Sequence, residues 1–143
     1  MIARRAPAAR LDSAELATVL LCRINARMGN AMFLTPIIER LRELLPQAVV
    51  DIASAYPYAE ELLGPIPGVR RVLVFPYKGV RLPFRYINAL RAVRRQRYDL
   101  AIDPAPDSTS DRIVLSLARA RYRLGFASAS QWAPLTHAVA VPP

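Results

Sequence analysis

The sequence predicts one α/β domain, a Rossmann-like parallel sheet with helices on both faces. From residue 18 onward, short apolar runs alternate with stretches whose apolar residues recur at helical spacing. That alternation marks strands joined by crossover helices. The first run, Thr18 to Ile24, is apolar apart from Arg23, as a central strand buried on both faces must be. A chain of 143 residues has room for one such domain. At that length roughly 70% of the unfolded chain's surface is buried on folding, so no disulfide or metal staple is required.

Residues 1–17 are expected to form a flexible basic tail, and 18–143 the domain. The tail carries Arg4, Arg5 and Arg10 but no apolar core of the kind a secretory signal needs, a transit peptide being the alternative. After the first strand, Leu34, Ile37, Ile38, Leu41, Leu44 and Leu45 line one face of a helix that Pro46 stops. Its start is open: Asn30 could cap it with Pro36 as a kink, or it could begin at Thr35 with Pro36 at the first helical position. Ala48 to Ala53 reads as the second strand, Tyr58 to Leu63 as a short helix halted by Gly64-Pro65, and Val69 to Phe75 as the third strand. Beyond the loop Pro76 to Pro83, the stripe Phe84, Ile87, Leu90 and Val93 marks a helix that also carries Arg85, Arg91, Arg94, Arg95 and Arg97. Tyr98 to Ile102 is the fourth strand. A helix from Ser110 to Ala120, with Ile113, Leu117 and Ala120 inward, leads to a fifth strand, Tyr122 to Phe126, and Thr136 to Val141 makes a sixth.

The composition, 53% hydrophobic and 22% charged with a mean hydropathy of +0.17, belongs to a folded soluble chain. It excludes wholesale disorder, and no apolar run approaches the ~18 residues of a membrane-spanning helix. Cys22 is the single cysteine, which excludes a disulfide framework or a cysteine-rich zinc site and fits a reducing cytoplasm. The formal charge of +9 comes from nineteen arginines and Lys78 against eleven carboxylates. Such a surface favours phosphates, nucleic acid and acidic membranes without choosing among them. The scattered tyrosines and the lack of any recognised binding motif count against nucleic acid.

In open parallel sheets, ligands bind beyond the carboxyl ends of the strands. The first such loop, Ile24-Asn25-Ala26-Arg27-Met28-Gly29-Asn30, has neither the glycine pattern of a dinucleotide fingerprint nor that of a P-loop. Gly29 is either an ordinary turn residue or the place where the backbone approaches a ligand, with Arg23 and Arg27 facing an anion. The fourth-strand loop groups Asp103, Asp107 and Asp111, where a carboxylate suits a general base or a cation. The alternative is that Asp107 or Ser108 caps the next helix while Asp103 holds the loop by hydrogen bonds. His137, the only histidine, lies in the last expected strand and reads as structural.

Taken in order, VLLCRINARMGNAMFLTPIIERLRELLP, VRRVLVFP, LRAVRRQRYDLAIDPAP and LARARYRLGF resemble the N-terminal half of the family-nine glycosyltransferases, the ADP-heptose:lipopolysaccharide heptosyltransferases. The resemblance runs from Val19 to Pro143 and implies the acceptor-binding half of a GT-B enzyme of two Rossmann-like domains. By the resemblance, the missing C-terminal domain binds the nucleotide sugar. The enzyme inverts the sugar without metal or cofactor, acts on the lipopolysaccharide core, and sits in the cytoplasm, peripheral to the inner membrane. The family's catalytic base is an aspartate after a glycine, and here Asn30 follows Gly29. An amide cannot take up a proton at neutral pH. Asp103, then Asp107, are the substitute bases to test, and Arg23, Arg27, Gly29 and Thr35 the acceptor-binding residues. Alone, the chain is expected to be inactive. The alternative function is a non-catalytic Rossmann-like module for anionic glycans or lipids.

Overall fold

The computed structural model describes residues 11–76, 83–106, 108–127 and 135–140. Among them, β1 (Thr18–Arg23), β2 (Val49–Ser54), β3 (Val69–Val74), β4 (Arg97–Asp103), β5 (Arg119–Ala127) and β6 (His137–Ala140) form one sheet. Every pairing is parallel, in the order β3-β2-β1-β4-β5-β6. The helices are α1 (Met28–Met32), α2 (Leu34–Leu44), α3 (Ala59–Leu63), α4 (Pro83–Arg94) and α5 (Thr109–Leu117). The winding direction reverses between β1 and β4, the position at which an open parallel sheet places its ligand crevice.

β1 shows why the sheet needs helices on both sides. Its Val19 and Leu21 pack with Leu34, Ile38, Ile52 and Leu63, while Leu20 and Cys22 pack on the other face with Phe75, Val93, Val114 and Leu115. All four β1 residues are wholly buried, and the unbroken apolar run is the sequence trace of that environment.

Four expectations change. The helix expected around Leu34 to Leu45 is preceded by a separate α1, and neither foreseen start is the one found. Pro36, third in α2, lacks the N–H that would bond back to the Met32 carbonyl, and the helical ladder is interrupted at Phe33. On α4 the inward residues are Tyr86, Ala89, Leu90 and Val93, whereas Phe84 and Ile87 are exposed. A strict three-residue spacing slips backwards by about 60° per step, so Phe84 and Val93 end on opposite sides of the helix. α5 stops at Leu117, and Ala120, expected inside the helix, belongs to β5. Before β1, Ser13–Glu15 form a 3-10 turn capped by Asp12, and Leu16 is buried, so the part of the expected tail from residue 11 is ordered.

β2 also buries a carboxylate. Val50 pairs with Val69 and Asp51 with Arg71, leaving Arg70 as an extra residue in β3. Neighbouring strand residues normally point to opposite faces, but this bulge lets Arg70 and Arg71 reach the same group. Arg70 Nε and Nη2 donate to Asp51 at 2.9 and 2.8 Å, Arg71 Nε at 2.9 Å and the Tyr98 hydroxyl at 2.5 Å. Arg71 also donates to the Ala92 carbonyl at 3.0 Å, tying in α4. Burial pushes the Asp51 carboxyl up, but the hydrogen bonds from Arg70, Tyr98 and Arg71 outweigh it and hold it below the usual carboxylate range. Burial, and then donation to Asp51, push the Tyr98 hydroxyl up to about 12.

Because Asp51 is depressed in the fold, its stabilisation is present above the ordinary carboxylate pKa and is lost as pH falls through its folded value. Asp51→Asn should cost about 1–3 kcal/mol at pH 7, the arginines being partly solvated, and the gap to the parent should narrow near pH 3. Urea unfolding at both pH values measures this. Equal midpoints at pH 7 would show that the cluster contributes nothing.

Candidate functional site

The crevice at the switch point is built by the end of β1, the loop into α1, and the start of α5. The Ser108 Oγ caps α5 by accepting the Asp111 N–H at 3.2 Å, which fixes Asp111 in the first turn. A carboxylate there is favoured by the helix dipole. Its side chain is fully buried. One oxygen accepts the Ile24 backbone N–H at 2.6 Å and the other faces Arg23 Nη1 at 3.3 Å. Arg23 in turn donates through Nη2 to Asn30 Oδ1 at 2.9 Å. Asn30 Nδ2 donates to Asn25 Oδ1 at 2.9 Å, and the same oxygen accepts the Arg27 N–H at 2.9 Å. The loop is therefore closed on itself from Arg23 to Asn30, with the Asn30 amide oriented by both of its ends.

Asp103, at the end of β4, is buried too. Its Oδ1 accepts the Ala105 N–H at 3.0 Å and its Oδ2 takes Arg112 Nε at 2.6 Å. Arg112 also donates to the Phe126 carbonyl, while its Nη1 is buried and has no partner among the described residues. Gly125 makes room for this guanidinium, because a Cβ there would lie 3.1 Å from Arg112 Nη2 and 3.2 Å from Leu135.

Burial, followed by the charge of neighbouring Asp103 and a hydrogen bond to it, push the Asp111 carboxyl up to about 7, against the opposing pull of the Ile24 N–H and Arg23. Cys22 is fully buried, and its thiol is pushed well up by burial and then by Asp111 and Asp103. It is therefore a packing residue rather than a nucleophile.

The structure brings Arg23 and Asn30 into one network, with Arg27 joined through its backbone. Gly29 lies exposed beside them in the first turn of α1. Among the described residues, nothing beyond its chain neighbours and its own helix backbone lies within 4 Å of a Cβ built at Gly29, so the packing there does not demand glycine. Thr35, half-buried in the first turn of α2, takes no part in this network. Asp103 faces inward and is paired with Arg112, an arrangement that does not suit the base role expected of it. Asp107 lies outside the described residues. His137 sits in β6 with its ring edge-on to Tyr122. Sequence reasoning missed Asn25, Arg112 and the joining role of Asp111. The one available signal was the spacing Ser108-x-x-Asp111, which places a carboxylate at a helix start.

No protein-family model matches the sequence, and no curated protein matches it. Solved structures do. The E. coli heptosyltransferase WaaC, solved with ADP, superposes with a TM-score of 0.69 at 18% identity over 88% of this chain and 41% of its own. The fold is heptosyltransferase-like. A family-nine glycosyltransferase from Veillonella parvula gives a TM-score of 0.64 at 18% identity, covering 83% of this chain and 33% of that one. The E. coli ADP-heptose lipopolysaccharide heptosyltransferase II gives 0.57 at 20% identity, covering 78% and 30%. The chain thus spans 30–41% of the length of these three glycosyltransferases, and its all-parallel Rossmann-like sheet is the shared part.

Two outcomes test this geometry. The folded pKa of Asp111 lies above its unfolded value, so its contribution is full below about pH 4 and is lost as pH rises towards 7. Asp111→Asn cannot titrate, so the stability of the parent relative to this variant should fall between pH 4.5 and 7.5 by urea unfolding. Parallel curves would mean that Asp111 is ionised throughout. Gly29→Ala should keep the melting temperature or raise stability by up to ~1 kcal/mol, since alanine favours helix and meets open space. A marked fall would show a backbone requirement at Gly29.

Proposed function

We propose that this chain is the acceptor-binding domain of an inverting glycosyltransferase that moves heptose, or a related sugar, from a nucleotide sugar onto the lipopolysaccharide core. The observation that carries the reading is the Asn30 amide, held at the mouth of the switch-point crevice by Arg23 and Asn25 in a heptosyltransferase-like fold. Asn30 Oδ1 keeps a second lone pair with which to accept a hydrogen bond from an acceptor hydroxyl. Arg27 and the open backbone at Gly29 flank it and suit a phosphorylated glycan.

In this reading Asn30 orients the hydroxyl but does not take its proton. Asp103 is engaged by Arg112 and Asp111 is enclosed by Ile24 and Arg23, so of the carboxylates in this loop Asp107 is the one left to serve as a base. The same closure favours a second reading, a non-catalytic module for anionic glycans or lipids. The nucleotide sugar would be held by a different domain.

The exposed face of α4 supports a place at the cytoplasmic side of the inner membrane. Phe84 is 80% exposed, Ile87 is exposed one turn on, and the exposed Arg85 and Arg91 lie on the same helix. Apolar side chains among arginines fit an anionic lipid surface.

Calorimetric titration of the 143-residue chain with a phosphorylated core glycolipid in micelles tests the proposal. Saturable binding is expected, weakened about tenfold by Arg27→Ala, weakened by Gly29→Ala without loss of stability, and reduced by salt over the ~10 Å screening length at 0.1 M. ADP should not displace the bound glycolipid. Binding indifferent to both substitutions, or displaced one-for-one by ADP, would overturn the assignment.

A further inference from the structure

A second basic feature lies at the opposite end of the sheet. A cavity of about 590 Å³ opens where β4 and β5 begin and α4 and α5 end, and Arg94, Arg97, Asp99, Arg119, Arg121 and Arg123 are among its lining residues. β4 spans seven residues, which at ~3.3 Å each puts this basin ~20 Å from the crevice.

Its charges are poorly balanced. Asp99 is the one carboxylate in the lining, and its Oδ2 is occupied by the backbone N–H groups of Ala17 at 2.8 Å and Thr18 at 3.1 Å. Arg94 and Arg123 donate to the carbonyls of Leu117, Leu115 and Ala118 at the end of α5. These contacts orient the guanidinium groups without neutralising them. Arg121 faces Glu15 at 3.5 Å, with both side chains at least half exposed, so that pair is weak. Arg97 and Arg119 are in-register partners at the start of neighbouring strands, both exposed and without a carboxylate partner among the described residues. Like charges directly opposite each other destabilise a sheet. An anion between them reverses the sign of that interaction, and a guanidinium pair matches the oxygen spacing of phosphate groups.

We propose that this basin is an anion-binding site for a ligand bearing adjacent phosphate groups, with Arg97 and Arg119 as its principal contacts. It is separate from the crevice, so its occupancy does not depend on the acceptor assignment above.

The test uses the 143-residue chain, inorganic pyrophosphate followed by calorimetry, and cosedimentation with phosphatidylglycerol vesicles. Saturable pyrophosphate binding is expected, weakened at least tenfold in Arg97→Gln/Arg119→Gln and unchanged in Arg27→Gln. If pyrophosphate fails to bind but the vesicles do, with the same dependence on Arg97 and Arg119, the site stands and its phosphates belong to lipid headgroups. Without ligand at low salt, the double variant should melt no lower than the parent, because a repulsion has been removed. The proposal is overturned if neither probe binds, if binding ignores Arg97 and Arg119, if Arg27→Gln alone abolishes it, or if the double variant melts markedly lower.

Discussion

At the carboxyl edge of the sheet, the two halves of the fold meet through one carboxylate. Asp111 reaches from the start of α5 to take the Ile24 N–H on one oxygen and face the Arg23 guanidinium with the other. A switch-point crevice would otherwise expose unsatisfied backbone just where β1 ends. Through Arg23 the same contact fixes the Asn30 amide, and Asn25 locks it from the far side. The crevice is thus preorganised by groups buried behind it. The cost is a carboxyl that burial, and then the nearby charge of Asp103, push up to about 7.

The two ends of the sheet use arginine differently. At the carboxyl edge, Arg23 and Arg112 are spent on buried carboxylates, so the crevice is a structured, half-neutral site. At the amino edge, Arg97 and Arg119 are in-register partners, and neither has a carboxylate partner among the described residues. On β2 and β3 the bulge at Arg70 turns two consecutive arginines onto Asp51, which balances one of their two charges. A net charge of +9 therefore says little until it is divided among these three places.

Much of the fold was legible because burial on both faces leaves an unambiguous trace. The run Thr18 to Ile24 gave β1 to within one residue, and the stripe from Leu34 to Leu45 gave α2 nearly as closely. Legibility failed where a pattern had two readings. The apolar residues of α4 fit a three-residue stripe, but Tyr86, Leu90 and Val93 make the true inward face, and Ala120 fits a helix turn as readily as the strand it occupies. For the site, the first loop could be located from strand order alone, and Arg23 and Asn30 lie there. The inward turn of Asp103 could not be read, since it depends on Arg112 nine residues later and on the missing side chain at Gly125. The Asp51 cluster was hidden for the same reason: a one-residue bulge leaves no mark on composition or period.

The account rests on Asn30 being the group that meets the acceptor. The most direct examination is nitrogen-15 NMR of the labelled chain during titration with the core glycolipid. The Asn30 side-chain amide and the backbone amides from Arg27 to Asn30 should shift together and saturate at one concentration, with the Asp51 to Arg71 region unmoved. If those loop resonances stay in place while binding saturates elsewhere, the crevice is not the acceptor site and the central claim is wrong.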